Sequence, residues 1–113
     1  MKKFSDKERL LHILDSIITI ENFTKDISYS EYDEDFKLRL AVVKLFEIIG
    51  EASNGISEET KNNFSNIEWA ILKAIRNILI HEYFGIDYQI IWDSIKNDIP
   101  TLKEKIIKIL NNY

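Results

Sequence analysis

The 113-residue sequence contains no cysteine, one proline and three glycines. Without cysteine the chain cannot form a disulfide, a cysteine metal site or a thiol nucleophile, and this absence fits a reducing compartment. So few glycines and prolines leave few breaks in the chain, which favours helices joined by short turns. We therefore expect an all-α fold.

Long apolar runs are also missing. No stretch approaches the roughly 20 apolar residues of a membrane span, and the amino terminus from Met1 to Asp6 lacks the apolar stretch of a signal peptide. We therefore expect no membrane segment and a cytoplasmic location. The length and composition, with 45% hydrophobic and 12% aromatic residues, predict one compact domain over residues 1–113.

The sequence has no excess of positive charge, since 19 acidic and 15 basic residues give a net charge of −4. A general nucleic-acid binder needs a basic surface, because non-specific affinity for polyanions comes from displaced counterions. Contacts around Arg76 and Lys73, or a dimer cleft that concentrates the few positive charges, would still allow a polyanion to bind. The plain alternative is that an acidic surface keeps a helical domain soluble.

Capping signals and apolar spacing place the first helices. A capping box at Ser5 and Glu8 predicts a first helix from about Asp6 to about Thr24. A second helix is predicted from about Glu31 to about Ser53, with a short turn of helix between Ser57 and Phe64. The polar positions of the second helix form one narrow stripe, so it must be buried on more than one side. The apolar face of the first helix is expected at Leu10, Leu11, Leu14, Ile17, Ile18 and Phe23.

Three further helices follow in the sequence. Asn66 is expected to cap a helix over residues 67–84, Asp87 to cap the next, and Pro100 to lie in the first turn of the last. The apolar face of the helix after Asp87 is expected at Ile90, Ile91, Trp92 and Ile95, and that of the last helix at Leu102, Ile106, Ile109 and Leu110. Together these elements predict an up-and-down bundle of about five helices.

The most informative segment runs from Arg76 to Tyr83 and reads R-x-x-x-x-H-x-Y in an otherwise apolar stretch. RNA cleavage without a metal needs a group that takes the 2′-hydroxyl proton, a donor to the leaving oxygen and a fixed cation. His81 titrates near neutrality and can serve as base or acid, while the Arg76 guanidinium suits phosphate oxygens. Only three of the 15 basic residues are arginines. The pattern therefore indicates chemistry on a phosphate.

The spacing within this segment constrains how the site can form. At about 100° per residue, Arg76 and Tyr83 lie within about 20° of each other on a helix. His81 lies about 140° from Arg76 and close to Asn77, which is four residues earlier. Arg76 and His81 therefore converge only if the arginine wraps around, if the helix frays near Gly85, or if a second copy completes the site.

The same helix carries apolar residues on two faces. Trp69 and Ile80 flank Arg76 and Tyr83, on the side opposite a first apolar stripe. A helix of this kind is either central in a bundle or buried in an oligomer interface. We interpret it as a homodimer interface with the active groups at its edge. The first apolar stripe consists of Ile67, Ile71, Ala74, Ile75 and Ile78.

A set of ordered motifs carries a resemblance to a known family. In chain order they are Phe46 to Ala52, Trp69, Arg76 to Phe84, Trp92 and Ile99 to Leu102. Together they resemble the HepT family of HEPN-domain proteins over nearly the whole chain. The resemblance implies a metal-independent ribonuclease that works as a homodimer, needs no cofactor and acts on RNA, with transfer RNA described for similar enzymes. It also implies a toxin of a two-gene toxin–antitoxin pair whose partner, MntA, is a small nucleotidyltransferase.

The resemblance also implies roles for particular residues. Arg76 and His81 would be the catalytic pair, and the product would end in a cyclic phosphate. Tyr83 would be the residue that the partner modifies with AMP, which silences the toxin. A bulky, negatively charged nucleotide beside Arg76 would block the cleft and occupy the guanidinium.

Three further residues are supporting candidates. Asn77 could orient the phosphate or His81, and Glu82 could tune the pKa of the histidine. Glu51 could reach toward the predicted helix over residues 67–84, which we call the motif helix. Glu47 and Glu51 lie four residues apart, but no second carboxylate–histidine pair supports a di-metal bundle. We therefore expect no metal site.

Structural alternatives remain open for the same residues. Arg76 could pair with Glu51, Tyr83 could fill an interface, and His81 could be a buried structural residue. His12 is expected to be structural or exposed. Two function classes therefore remain: a ribonuclease toxin, or a non-catalytic helical subunit that helps a nucleotidyltransferase hold a nucleotide or substrate. A structural dimer without a ligand is the third possibility.

Overall fold

The structure is a computed structural model that describes residues 3–70, 72–73, 75 and 85–113. Within these ranges the chain forms helices and no strands, which confirms the all-α fold class. Residues 69–70, 72–73 and 75 are also helical. The complete helices in the described ranges are α1 (Asp6–Thr24), α2 (Tyr29–Glu34), α3 (Phe36–Asn54), α4 (Glu58–Asn63), α5 (Tyr88–Asn97) and α6 (Ile99–Leu110).

Helix α1 has the predicted bounds because its first turn caps itself. The Glu8 amide donates to the Ser5 hydroxyl oxygen at 3.1 Å, and the Ser5 amide donates to the Glu8 carboxylate at 3.2 Å. The predicted apolar face is partly wrong, since Leu11, Ile18 and Phe23 are exposed by 41%, 38% and 47%. The helix packs on α3 and α6 with a neighbouring stripe. That buried stripe is Leu10, Ile13, Ser16, Ile17, Ile20 and Thr24.

The predicted second helix is divided in two at Asp35. This residue has φ −103° and ψ 90°, outside the helical region, and its carboxylate accepts from the Leu38 amide at 3.0 Å. Asp35 therefore ends α2 and caps α3, which then runs to Asn54 and ends at Gly55 near the predicted position. The α2 helix has its own capping box at Ser28, the residue before Tyr29.

The prediction that Asn66 caps the motif helix is wrong. Asn66 lies in a turn, and the Leu72 amide donates to the carbonyl of Glu68 at 3.2 Å, so Glu68 precedes the first helical turn. The turn is held by contacts beyond its own sequence. The Trp69 indole donates to the Phe64 carbonyl at 3.1 Å, and the Lys105 ammonium donates to the Asn66 carbonyl at 2.7 Å.

The last two helices begin as their caps predict. The Asp87 carboxylate accepts from the amides of the second and third residues of α5, at 3.0 and 3.3 Å. Ile91 and Ile95 of α5 are buried, but Ile90 is 65% exposed and does not belong to the apolar face. Helix α6 begins at Ile99 with Pro100 in its first turn, and it buries its apolar side against α1.

Polar and aromatic contacts connect the helices around this core. The fully buried Tyr32 of α2 donates its hydroxyl to the Tyr88 carbonyl of α5 at 2.9 Å, and its ring lies 4.9 Å from that of Trp92. Burial raises the pKa of Tyr32 above its ordinary value. Between α1 and α6, the Lys103 ammonium lies 2.8 Å from the Glu21 carboxylate.

None of the described helices has both the length and the apolar character that crossing a bilayer requires.

A hydrogen-bonded carboxylate connects the start of α1 to the start of α4. The Ser57 amide donates to one oxygen of Asp6 at 3.0 Å, and the hydroxyls of Ser57 and Thr60 both donate to the other at 2.6 Å. Burial raises the pKa of Asp6, but these hydrogen bonds and the nearby Arg9 outweigh it, so the pKa lies below its ordinary value.

Replacing this carboxylate should make stability less dependent on pH. Because the folded pKa of Asp6 is depressed, its contribution is present above the unfolded value of 3.8 and is lost as the pH falls through the folded value. We expect Asp6→Asn to lower the free energy of unfolding by about 1 to 3 kcal/mol near neutrality. In urea denaturation experiments, the difference in free energy of unfolding between the parent and Asp6→Asn should shrink below pH 3.8. Asp15→Asn, an exposed site on the same helix, is the control, and a deficit that is independent of pH would contradict the assignment.

Candidate functional site

Most of the predicted site lies outside the described residues. This applies to both proposed catalytic residues, to the proposed AMP acceptor and to two of the supporting residues, and their roles stay predictions. Glu51 and Lys73 are described, and both are exposed. The residues outside the described ranges are Arg76, Asn77, His81, Glu82 and Tyr83.

The chain segments on either side of the motif are anchored in the core. Leu72 and Ile75 are half-buried and pack against the core, and Arg76 is the next residue after Ile75. On the other side Ile86 also packs against the core, directly before the cap of α5 at Asp87. The described residues on both sides of segment 76–84, Ile75 and Ile86, are therefore held by the bundle.

A cavity of about 430 Å³ lies beside the start of the motif helix. Its lining comes from α3, from residues 67–75 and from the junction of α5 and α6. Two of the motif segments that carry the family resemblance contribute to it, because Phe46 to Ala52 and Ile99 to Leu102 both supply lining residues. The apolar lining is Phe46, Ile49, Ile67, Leu72, Ile75, Ile99 and Leu102. The polar lining is Glu68, Ser94, Asn97, Asp98, Thr101 and Lys105.

The polar rim of this cavity was not predicted from the sequence. Asp98 stands directly before a helix that has proline in its first turn, so its position suggests only an N-cap. In the structure Asp98 is at that N-cap position but makes no side-chain capping hydrogen bond. Lys105 is half-buried on α6, and its spacing in the sequence gives no sign of its contact with Asn66.

Glu51 faces a second groove, of about 270 Å³, on the other side of α3. Gly50 lines the first cavity, so neighbouring residues of α3 border different sites. The groove also contains Arg9, His12 and Lys44, which are the positive or titratable groups that face Glu51 there. Whether Glu51 also reaches the motif helix stays a prediction, because the motif residues lie outside the described ranges.

Arg9 and His12 have packing contacts in this groove. The Arg9 guanidinium lies 6.0 Å from the Phe4 ring centre, and a Cβ atom at Gly55 would collide with it. The His12 ring meets the Phe4 ring edge-on, with centroids 4.8 Å apart. The half-buried His12 thus has the structural role expected for it.

Arg39 is also held by packing. Its guanidinium lies 4.9 Å from the Tyr88 ring centre and 5.5 Å from that of Phe36, and it donates to the Asp33 carbonyl. Guanidinium groups over aromatic rings are stabilised by the ring quadrupole. Two of the three arginines of the chain and one of its two histidines therefore contact aromatic rings.

No cluster of three or more histidine, aspartate or glutamate side chains within the described part of the chain could hold a metal ion. The charged groups around the first cavity are instead two carboxylates, Glu68 and Asp98, and one ammonium, Lys105. Such a lining can accept hydrogen bonds from a ligand and can enclose an apolar body.

Comparisons with known proteins identify the family. A family model described as "Ribonuclease HepT-like" matches residues 13–109. A protein of Methanocaldococcus jannaschii named "Putative RNase" is 42% identical over 94% of this chain and 97% of its own length. A protein of Thermococcus cleftensis named "Probable ribonuclease HepT" is 40% identical over 95% of this chain and 97% of its own length. No solved structure matches the chain. The family model and these relatives span almost the whole sequence, and the chain therefore belongs to the HepT-like ribonuclease family.

Proposed function

We propose that this protein is a metal-independent endoribonuclease in which Arg76 and His81 act on the scissile phosphate. The observation that carries this proposal is the different use of its few arginines and histidines. Arg9, Arg39 and His12 are held in aromatic packing contacts, which leaves one arginine and one histidine, in the R-x-x-x-x-H-x-Y motif, for chemistry. The names of the relatives support RNA as the substrate, and transfer RNA is the RNA we propose.

The proposed reaction is an internal transfer of the phosphate. The 2′-oxygen attacks the neighbouring phosphorus as its proton passes to a base, and the bond from phosphorus to the 5′-oxygen breaks as that oxygen receives a proton. The products are a 2′,3′-cyclic phosphate and a free 5′-hydroxyl. His81 serves in proton transfer and Arg76 stabilises the charge on the phosphorane-like transition state. Asn77 and Glu82 support these groups by orienting the phosphate and the imidazole.

The proposed active form is a homodimer. On a helix the Arg76 and His81 side chains diverge by about 140°, so one copy of the motif does not bring them together by helix geometry alone. A second copy supplies the missing partner at the edge of the shared interface.

The proposed regulation is by a partner nucleotidyltransferase of the MntA type. This antitoxin transfers AMP from ATP to the hydroxyl oxygen of Tyr83, two residues from His81, and pyrophosphate is released as the bond between the α- and β-phosphates breaks. The added phosphate is negative and lies within the segment that contains Arg76, so it competes with the RNA for the guanidinium. Unmodified protein is then the toxin, and the modified form is silent.

Substituting the motif residues should abolish RNA cleavage. The protein, produced without its partner, is incubated with total transfer RNA in EDTA. We expect cleavage by the parent and no detectable cleavage by Arg76→Ala and His81→Ala, with losses of about 100-fold or more for a general acid–base group. His12→Ala is the matched control and should keep its activity. A dimeric, unmodified parent that cleaves nothing would favour the non-catalytic binding subunit.

Mixed dimers should reveal whether the site is shared. Arg76→Ala and His81→Ala subunits carrying different tags are co-expressed, and the mixed dimer is isolated through both tags. If arginine and histidine come from different subunits, this dimer contains one intact site and should recover about half of the parent activity, while each parental homodimer stays inactive. An inactive mixed dimer would show that each site lies within one subunit.

Modification by the partner should depend on one tyrosine. With ATP and the partner nucleotidyltransferase, we expect intact-protein mass spectrometry to show the addition of AMP to the parent and the loss of ribonuclease activity. Tyr83→Phe should remain unmodified and active. Tyr29→Phe, which removes a tyrosine that is 38% exposed, should be modified like the parent. AMP on Tyr83→Phe would assign the modification to a different residue.

A further inference from the structure

The cavity beside the motif helix has the properties of a small-ligand site. Its volume of about 430 Å³ lies within the range of about 300 to 1,000 Å³ that is usual for such pockets. The interior is apolar and includes the ring of Phe46, which is 5% exposed. The exposed side chains of Asn97, Asp98 and Thr101 lie together at its rim. An occupant should therefore have a flat or compact apolar body and a polar edge.

The Asp98 carboxylate is placed to accept hydrogen bonds from such an occupant. An N-cap side chain normally accepts from the second or third amide of its helix, and the second residue of α6 is Pro100, which has no amide hydrogen. Asp98 makes no capping hydrogen bond in the structure. Asn97, beside it, can both donate and accept through its side-chain amide.

These features select an unpaired nucleobase with an exocyclic amino group. Proteins read single-stranded RNA by enclosing splayed bases against aromatic and apolar side chains and by hydrogen bonding to their edges. Carboxylates accept from the amino groups of bases, as they do from cytosine. Uracil has no exocyclic amino group, and the Asp98 carboxylate would repel its two carbonyl oxygens. A free phosphate is disfavoured because Glu68 and Asp98 both border the cavity.

The position of the cavity connects it to the proposed chemistry. Leu72 and Ile75 form part of its lining, and Arg76 follows Ile75 in the chain. A base inside the cavity would therefore leave its sugar and phosphate near the beginning of the catalytic segment. We propose that the cavity receives one unpaired, amino-bearing base of the RNA next to the phosphate that Arg76 and His81 cleave. This inference rests on the proposed ribonuclease function.

The first test measures base preference at the cut. The full-length protein, produced without its partner, cleaves a pool of single-stranded RNA with randomised positions in EDTA, and the cyclic-phosphate ends are sequenced. At one fixed position beside the cut we expect uracil to be disfavoured by about tenfold, the size expected for losing one hydrogen bond to a charged group. Asp98→Asn should reduce this preference several-fold, because an amide can also donate to uracil. The control, Asp93→Asn, removes an exposed carboxylate of α5 outside the cavity lining and should keep the parent preference.

The second test blocks the cavity. Thr101 is exposed at the rim, so Thr101→Trp should fold normally and place an indole across the opening. We expect KM for RNA to rise about tenfold while circular dichroism and the dimer mass by light scattering stay unchanged. Conversion to a monomer would show that a second copy covers the cavity, which would overturn the inference.

The remaining outcomes separate this inference from the proposed function. Cleavage without any base preference, or a parent-like preference in Asp98→Asn together with a parent-like KM in Thr101→Trp, would overturn the cavity assignment and leave the ribonuclease standing. Two results would overturn both proposals. One is a parent protein that cleaves no RNA, and the other is cleavage by Arg76→Ala and His81→Ala at the same rate as by the parent.

Discussion

The burial of one face of α1 between α3 and α6 is the contact on which the rest of the structure depends. Leu10, Ile13, Ile17 and Ile20 on this face are all fully buried. Burying an aliphatic side chain contributes about 1.5 to 3 kcal/mol, so this face supplies a large share of the stability of a small domain. Because α3 and α6 pack on the same helix, their positions relative to each other are also fixed. The cavity beside the motif helix exists where residues of α3 and α6 face a common space.

Polar contacts fix the parts of the chain that this apolar face does not reach. The Asp6 carboxylate connects α1 to the short helix α4, and the ammonium of Lys103 connects α6 back to Glu21 of α1. Lys105 holds the carbonyl of Asn66 in the turn that leads to the motif helix. Together with the buried Ile67, this contact fixes where the motif helix begins. The turn at Asn66 is thus held by α6, even though the two segments are far apart in sequence.

Local signals predicted the helix ends that depend on local chemistry. The capping box at Ser5 and the cap at Asp87 act within one turn, so their sequence patterns suffice. The break at Asp35 was missed because an aspartate within an apolar periodic run also fits the exposed side of a continuous helix. Its location is supported by Tyr32, which α2 buries against Tyr88, 56 residues away. A contact of that range leaves no local pattern.

The choice between apolar faces was beyond the sequence for a related reason. On α1, apolar residues are frequent enough that more than one stripe has helical spacing, and the partners α3 and α6 decide that Ile13 and Ile20 are buried while Leu11 and Ile18 are exposed. Within the candidate site, the motif that begins at Arg76 could be recognised in the sequence because its residue types are chemically specific. The rim residue Asp98 gave no such signal, because an aspartate before a helix has an ordinary explanation as a cap, and its missing capping hydrogen bond is visible only in the structure.

A net charge of −4 limits how this protein can engage RNA. Non-specific affinity grows with the number of phosphates that lysine and arginine neutralise. The guanidinium groups of two of the three arginines, Arg9 and Arg39, lie near aromatic rings, so these two residues do not provide a broad phosphate-binding surface. Affinity would then come from a few contacts near Arg76 and from enclosing a base. Binding of this kind is selective, because most RNA surfaces offer neither an unpaired base nor a suitably placed phosphate. The proposed transfer of AMP to Tyr83 would act on the same limit, because in a site with few positive charges the loss of one guanidinium removes a large fraction of the attraction for phosphate.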